Sequence, residues 1–221
     1  MIRSPRLPLE QPAFDLLEMP VSEADPQTWV NLRFAEFCDK KHLFYANAGA
    51  RLTPHSLNIP GVYLARTEKT AFLELYGDRL DAARQAGTQM ILAEAELNRR
   101  VFAGIRTESL RLCDLARKGG GSKLRLDAGT LRASDLEYPQ KFAEAICHHP
   151  AEVDGIRYRS RHTDEVCLVV WNRREVARLE NTAPAPLRSH LRATDIRSAK
   201  LFGEEIWLAG TPQTFDELTQ N

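Results

Sequence analysis

The sequence predicts a single α+β domain. Its 221 residues suit one domain better than two. Strand-like and helix-like segments alternate irregularly, without the strand–helix–strand rhythm of a doubly wound parallel sheet. The composition, with 43% hydrophobic and 27% charged residues, is that of an ordinary folded chain and argues against global disorder.

The first 28 residues are expected to form a proline-rich arm. Five prolines lie between Pro5 and Pro26, and proline locks φ and lacks an N–H, which favours an extended segment. A short apolar cluster at Phe14–Met19 suits docking onto the domain or onto a partner. We assign residues 29–175 to the domain and residues 176–221 to a C-terminal extension packed on it.

Apolar periodicity places the strands and helices of this domain. Alternating or continuous apolar runs predict strands at Trp29–Phe34, Gly61–Ala65, Ser109–Leu115, Val153–Arg161 and Val166–Trp171. Helices are expected at Glu68–Tyr76, at Pro139–Cys147 and near Ser189–Leu201. Thr67 caps the first of these and Gly77 is its expected stop.

Two segments are harder to assign. Thr88–Thr107 fits a helix by propensity and strands by partial alternation, and Lys118–Lys123 is expected to be a flexible turn. A phosphate-binding loop needs GxxxxGK[ST] between a strand and a helix, which this glycine run lacks.

Charge and apolar patterning exclude several classes of protein. Thirty basic residues balance thirty acidic ones, so no electrostatic argument favours direct nucleic-acid or membrane binding. The strongest apolar run, Val166–Trp171, is far shorter than the ~20 residues that span a bilayer, and the N-terminus lacks the apolar stretch of a secretory signal. Four widely spaced cysteines without a CxxC pair indicate reduced thiols and a cytoplasmic protein.

Motifs for metal or nucleophilic chemistry are weak. The chain has no HExxH, no GxSxG and no Cys/His spacing typical of zinc, so no metal is expected. His148 and His149 are adjacent and suit a helix C-terminus. A dyad of Cys38 and His42, four residues apart, stays open.

Two places are chemically denser. The run Arg157–Arg161 alternates arginines with Tyr158 and Ser160, so on a strand the arginines share one face and Tyr158 and Ser160 the other. If the arginines face solvent, Tyr158 and Ser160 point into the interior, where a buried serine hydroxyl needs a partner from the backbone or from a ligand. The alternative is a charged edge strand with a filler serine. Glu74 stands among apolar neighbours in a short helix, either on an exposed face or as an inward-facing acid in a cleft.

Taken in order, these motifs resemble the RES domain family, named for its arginine, glutamate and serine. The resemblance is carried by Arg51 in a loop, by Gly61–Ala65, by Thr70–Glu74 and by Asp154–Arg161 followed by a buried strand, and it spans about two-thirds of the chain. It implies a single domain with an ADP-ribosyltransferase-like fold, a mixed central sheet with flanking helices and a cleft that binds NAD. The family fold also favours strands over Thr88–Thr107.

The resemblance also implies a set of site residues. Glu74 matches the family's glutamate, Arg51 the loop arginine, Tyr63 the strand tyrosine and Ser160 the serine, and Arg33 is the candidate for an earlier strand arginine. Glu74 would stabilise positive charge on the ribose, while Arg51 and Arg33 would bind the diphosphate. Tyr63 would stack on nicotinamide, and Ser160 would bind the ribose or the nucleophile. The chain has Ala50-Arg51-Leu52 where the family more often has Gly-Arg-Phe or Gly-Arg-Trp.

The implied function is cleavage of the nicotinamide–ribose bond of NAD by phosphorolysis or hydrolysis, as the toxin of a toxin–antitoxin module. NAD is then a substrate, orthophosphate a possible acceptor, and the partner a helix-turn-helix antitoxin, with a homo-oligomer also possible. Two alternatives stay open: a protein ADP-ribosyltransferase using the same pocket, and a non-catalytic relative of the family.

Overall fold

The computed structural model describes residues 18–38, 50–124, 136–174, 176–179, 184–194 and 197–209. Predictions that concern residues 1–17, His42 and residues 210–221 lie outside this part of the chain. Within it, two sheets and four α-helices are present.

A nine-stranded sheet forms the centre of the fold, in the order β1-β6-β7-β8-β3-β2-β5-β10 with β9 also paired to β5. Its strands are β1 (Val21–Ala24), β2 (Gln27–Phe34), β3 (Gly61–Ala65), β5 (Arg100–Thr107), β6 (Leu110–Asp114), β7 (Gly155–Arg159), β8 (Val166–Trp171), β9 (Ala177–Leu179) and β10 (Ala185–Pro186). The pairing of β6 with β7 is parallel and the other pairings are antiparallel.

A smaller four-stranded sheet has the order β11-β12-β13-β4. Its strands are β4 (Met90–Ala93), β11 (Leu191–Ala193), β12 (Ser198–Leu201) and β13 (Glu204–Ala209). The helices are α1 (Glu68–Gln85), α2 (Glu94–Arg99), α3 (Gly120–Lys123) and α4 (Glu137–Cys147), and short 3-10 turns cover Ala35–Phe37, His55–Leu57 and Leu187–His190. The mixture of sheets and separate helices confirms the α+β class.

Helix α1 is the element that joins the two sheets. Its buried Phe72 and Tyr76 belong to one apolar cluster with Leu32 of β2 and Ile206 of β13. Burial of these side chains removes several large apolar surfaces from water, which holds α1 firmly in place. The polar side chains of α1 are thereby fixed relative to the central sheet.

Helix α1 is twice as long as predicted. Thr67 caps it as expected, with its hydroxyl oxygen accepting the N–H of Thr70 at 3.2 Å, but Gly77 does not end it. A Cβ at Gly77 would lie 2.3 Å from the imidazole of His162. The glycine therefore provides room for a close side-chain contact, and the helix continues to Gln85.

Other segment predictions were right in part. The strands from Trp29, Gly61, Ser109, Val153 and Val166 and the helix at Pro139–Cys147 are confirmed, with ends that differ by a few residues. Thr88–Thr107 contains β4 and β5, with α2 between them.

Two segment predictions were wrong. Ser189–Leu201 contains strands instead of a helix, because Ala199 and Leu201 alternate into the core while β12 pairs with β13. Lys118–Lys123 contains the short helix α3, and a Cβ at its Gly120 would lie 2.4 Å from the carbonyl oxygen of Asp114.

Residues assigned from the sequence to the N-terminal arm take part in the sheet. Val21–Ala24 forms the edge strand β1, and Met19 is buried. The C-terminal segment contributes Leu187, Leu201 and Ile206 to the cluster around α1. None of the helices in the described ranges is long and apolar enough to cross a membrane.

Candidate functional site

The candidate site lies where α1 faces the turn between β7 and β8, residues 160–165. Side chains at positions 70, 74, 77, 78 and 81 share one face of α1 because they are spaced by three or four residues. At the start of this face, the hydroxyl of Thr70 donates to the Glu165 carboxylate at 2.6 Å and lies 3.0 Å from the Thr163 hydroxyl. These contacts dock the turn on the helix.

Glu74 is half-buried and receives a hydrogen bond from the sheet. The hydroxyl of Tyr158, on β7, donates to its Oε2 at 2.7 Å. Burial, and then the charge of Glu74, raise the pKa of Tyr158 well above its usual value, so the phenol keeps its proton. Tyr158 therefore serves as a fixed donor to Glu74.

Tyr63, on β3, connects the loop that contains Arg51, Leu52 and Thr53 to the sheet. Its hydroxyl oxygen accepts the N–H of Leu52 at 2.8 Å and lies 3.4 Å from the hydroxyl of Thr53. Burial raises the pKa of Tyr63 to about 12, while Glu74 raises it and Arg51 lowers it slightly. Tyr63 thus holds Leu52 and Thr53, the residues that follow Arg51, and its hydroxyl interacts electrostatically with Glu74 and Arg51.

Asp78 brings two arginines together. Its carboxylate lies 4.0 Å from Nη2 of Arg51 and forms an ion pair with Nη2 of Arg161. Burial and the charge of Arg51 lower the pKa of Arg161, whereas Glu74 raises it. Arg161 and Arg51 thus converge on one carboxylate, which lies one helical turn from Glu74 on the same face of α1.

Ser160 lies at the end of β7 and is 2% exposed. Its hydroxyl oxygen accepts the N–H groups of His162 at 3.2 Å and Thr163 at 3.4 Å. Of the two partners that a buried serine can have, backbone or ligand, the structure shows backbone. Since both contacts use the oxygen as acceptor, the hydroxyl proton is left to donate.

Arg33 lies on β2, three residues past the point where β2 and β3 are in register. Among the described residues, β2 and β3 are in register at one pair, Val30 with Ala65, and the side-chain amide of Asn31 donates to the Tyr63 carbonyl at 2.8 Å. Arg33 is 1% exposed and pairs through its backbone with Val101 of β5.

The structure thus brings Arg51, Tyr63 and Glu74 together and puts Ser160 in the adjoining turn. The sequence motifs did not indicate that Tyr158 contacts Glu74, nor that Arg161 pairs with Asp78 one helical turn away. The alternation in Arg157–Arg161 did predict that Tyr158 and Ser160 face inward.

One further group of potential ligands was not predicted. Donor atoms of Asp78, Asp81 and His162 lie within 4.8 Å of one another. Both carboxylates already face arginines, Asp78 as described and Asp81 through Arg84 at 3.2 Å. This arrangement suits charge pairing better than cation binding.

Comparison with known proteins identifies relatives of this chain. The family described as RES domain matches residues 31–194. A chain of the M. tuberculosis MbcT–MbcA toxin–antitoxin complex has 19% sequence identity and a TM-score of 0.51, and the match covers 72% of this chain and 84% of that chain. At this identity the structural match establishes similarity of fold. No curated protein matches.

Proposed function

The chain belongs to the RES domain family, and from this premise we propose that it is an enzyme that cleaves the nicotinamide–ribose bond of NAD by phosphorolysis or hydrolysis. The observation that carries the proposal is the position of Glu74. Its carboxylate is half-buried, accepts the Tyr158 hydroxyl at 2.7 Å and stands one helical turn before Asp78, which pairs with Arg51 and Arg161.

Glu74 suits the chemistry of this bond. Departure of nicotinamide leaves positive charge on the ribose ring, as in other glycosidic cleavages, and a fixed carboxylate beside the ring stabilises that charge. The Tyr158 hydroxyl holds Oε2 in place and leaves Oε1 for the substrate. Nicotinamide leaves as a neutral molecule, so a separate acid is not required for its departure.

The remaining assigned residues bind and orient NAD. Arg51 offers a forked donor to the diphosphate, and Arg33, on β2, is assigned to the same group. Tyr63 is assigned to stack on the nicotinamide ring. The Ser160 hydroxyl, whose oxygen already accepts two N–H groups, donates its proton to the ribose or to the attacking nucleophile.

We extend the proposal to the biological setting. The similarity in fold to a chain of a toxin–antitoxin complex supports a role as the toxin of such a pair, acting in the cytoplasm. The expected partner is an antitoxin protein with a helix-turn-helix region.

Incubation of the purified protein with NAD, with and without orthophosphate, tests the activity. Release of nicotinamide that depends on orthophosphate indicates a phosphorylase, and release without it a glycohydrolase. Glu74→Gln removes the charge with little change in shape, so turnover should fall about 100-fold or more. Glu23→Gln alters an exposed residue of the edge strand β1, so it is the matched control and should keep wild-type turnover.

Two results would contradict the proposal. Unchanged NAD cleavage by Glu74→Gln would remove Glu74 from the reaction. Transfer of label from NAD to an acceptor protein, with no release of nicotinamide when that protein is left out, would favour a protein ADP-ribosyltransferase.

A further inference from the structure

The three arginines that alternate at 157, 159 and 161 do not share one face in the structure. Arg157 lies 3.7 Å from the Asp114 carboxylate. Arg159 donates to the carbonyl oxygens of Ala116 and Asp164, the latter at 2.9 Å. These two side chains are thus engaged away from Glu74, and Arg161 differs from both.

Arg161 departs from the alternation because the strand ends before it. β7 stops at Arg159, and the next residues form a tight turn in which the Asp164 N–H donates to the Ser160 carbonyl at 2.9 Å. The Ser160 hydroxyl accepts two more N–H groups of the same turn. This geometry turns the Arg161 side chain from the strand face towards α1.

The guanidinium of Arg161 is held on two sides. Its Nε donates to Nε2 of His162 at 3.2 Å, and its Nη2 is paired with Asp78. The His162 ring is itself seated on Gly77, and its side chain is 11% exposed. Arg161 is thus oriented in advance, which lowers the entropy lost when it binds a ligand.

Arg51, from the loop before β3, approaches the same Asp78 carboxylate as Arg161. The two arginine side chains are 24% and 28% exposed, whereas the Asp78 side chain between them is 63% exposed. Two guanidinium groups that converge on one accessible carboxylate form a site for an oxyanion with more than one charge. A phosphate group satisfies both forks better than a single carboxylate held at 4.0 Å from one of them.

We propose that Arg161 and Arg51 together bind a phosphate group, with the Asp78 carboxylate giving way to it. The ligand is either a phosphate of the dinucleotide or free orthophosphate, and both have the same chemistry at this site. That the ligand is one of these two rests on the function proposed above. The existence of an anion site at Arg161 and Arg51 does not depend on that function. Glu74 lies in the same cluster, so a phosphate bound here lies next to the proposed reaction centre.

Titration calorimetry with ADP-ribose and with orthophosphate tests the site without requiring turnover. Arg161→Gln should weaken binding of ADP-ribose, of orthophosphate or of both by about tenfold or more, because a hydrogen bond to a charged group is lost. Arg159→Gln, the same change two residues away, should bind both as the wild type does. A loss confined to ADP-ribose assigns the site to the dinucleotide, and a loss confined to orthophosphate assigns it to the free ion.

Other outcomes overturn the site. Wild-type affinity for both ligands in Arg161→Gln would do so, as would a wild-type protein that binds neither. Thermal unfolding of each variant checks that it is folded. If Arg161→Gln does not fold, Arg161→Lys serves instead, since it keeps the charge and loses the fork, and undiminished affinity there would equally exclude the site.

The same measurements separate this inference from the proposed function. A wild type that cleaves NAD while Arg161→Gln keeps full affinity for both ligands refutes the inference alone. A wild type that does not cleave NAD but binds orthophosphate through Arg161 refutes the function and leaves the anion site in place.

Discussion

The imidazole of His162 packs against Gly77, so the effect of Gly77→Ala on the free energy of unfolding should depend on whether His162 is present. Alanine in place of glycine inside a helix ordinarily stabilises by about 1 kcal/mol. At position 77, however, the new Cβ would lie 2.3 Å from the imidazole, so the ring must leave its place. Overpacking of this kind costs about 1–3 kcal/mol. Gly77→Ala should therefore range from neutral to about 2 kcal/mol less stable than the wild type.

Removal of the ring should restore the ordinary helix preference. In a His162→Ala background, Gly77→Ala should stabilise by about 1 kcal/mol. Urea unfolding of the wild type, both single variants and the double variant gives the coupling energy, expected at about 1–3 kcal/mol. Equal stabilisation by Gly77→Ala in both backgrounds would show that the imidazole does not rest on this glycine.

Two further predictions concern hydrogen-bonded side chains. Tyr158→Phe removes the 2.7 Å bond to Glu74, so kcat for NAD cleavage should fall about tenfold with little change in KM, because the carboxylate is no longer held in place. Asp154→Asn should destabilise the fold by about 2 kcal/mol, measured by urea unfolding. The Asp154 side chain is 3% exposed, and its carboxylate accepts the Arg111 N–H at 2.8 Å and Nη2 of Arg174 at 2.6 Å.

Each of these predictions has its own control. A change in KM alone in Tyr158→Phe would mean that the phenol acts on binding and does not hold Glu74. Asp164→Asn alters a carboxylate that is 83% exposed and should leave stability within about 0.5 kcal/mol of the wild type. Equal losses in Asp154→Asn and Asp164→Asn would contradict the assignment of Asp154 as a buried anchor.

The strands were predictable because their signal is local. Val166–Trp171 and Gly61–Ala65 are apolar runs that contain several β-branched or aromatic residues, and both lie in the middle of the sheet. Ser189–Leu201 was mistaken for a helix because its strands are only three and four residues long and form through pairing with each other and with β13. Tertiary pairing overrides local propensity in such short segments.

The site was predictable only as a set of residues. The motifs marked Glu74, Arg51, Tyr63 and Ser160, and the structure shows the first three close to one another. Whether these residues catalyse and bind as assigned stays a prediction, which the Glu74→Gln variant tests for Glu74. Nothing in the local pattern indicated that Gly77 makes room for a ring instead of ending a helix.

The sequence by itself determined the fold class, the family and the inward direction of Tyr158 and Ser160, because periodicity and short motifs are properties of neighbouring residues. Only the tertiary structure decided that Arg161, and neither Arg157 nor Arg159, stands beside Glu74 and Arg51. The three arginines are equivalent in sequence. They become different where β7 ends and its turn docks on α1, because hydrogen bonds and packing between distant segments set the direction of each side chain.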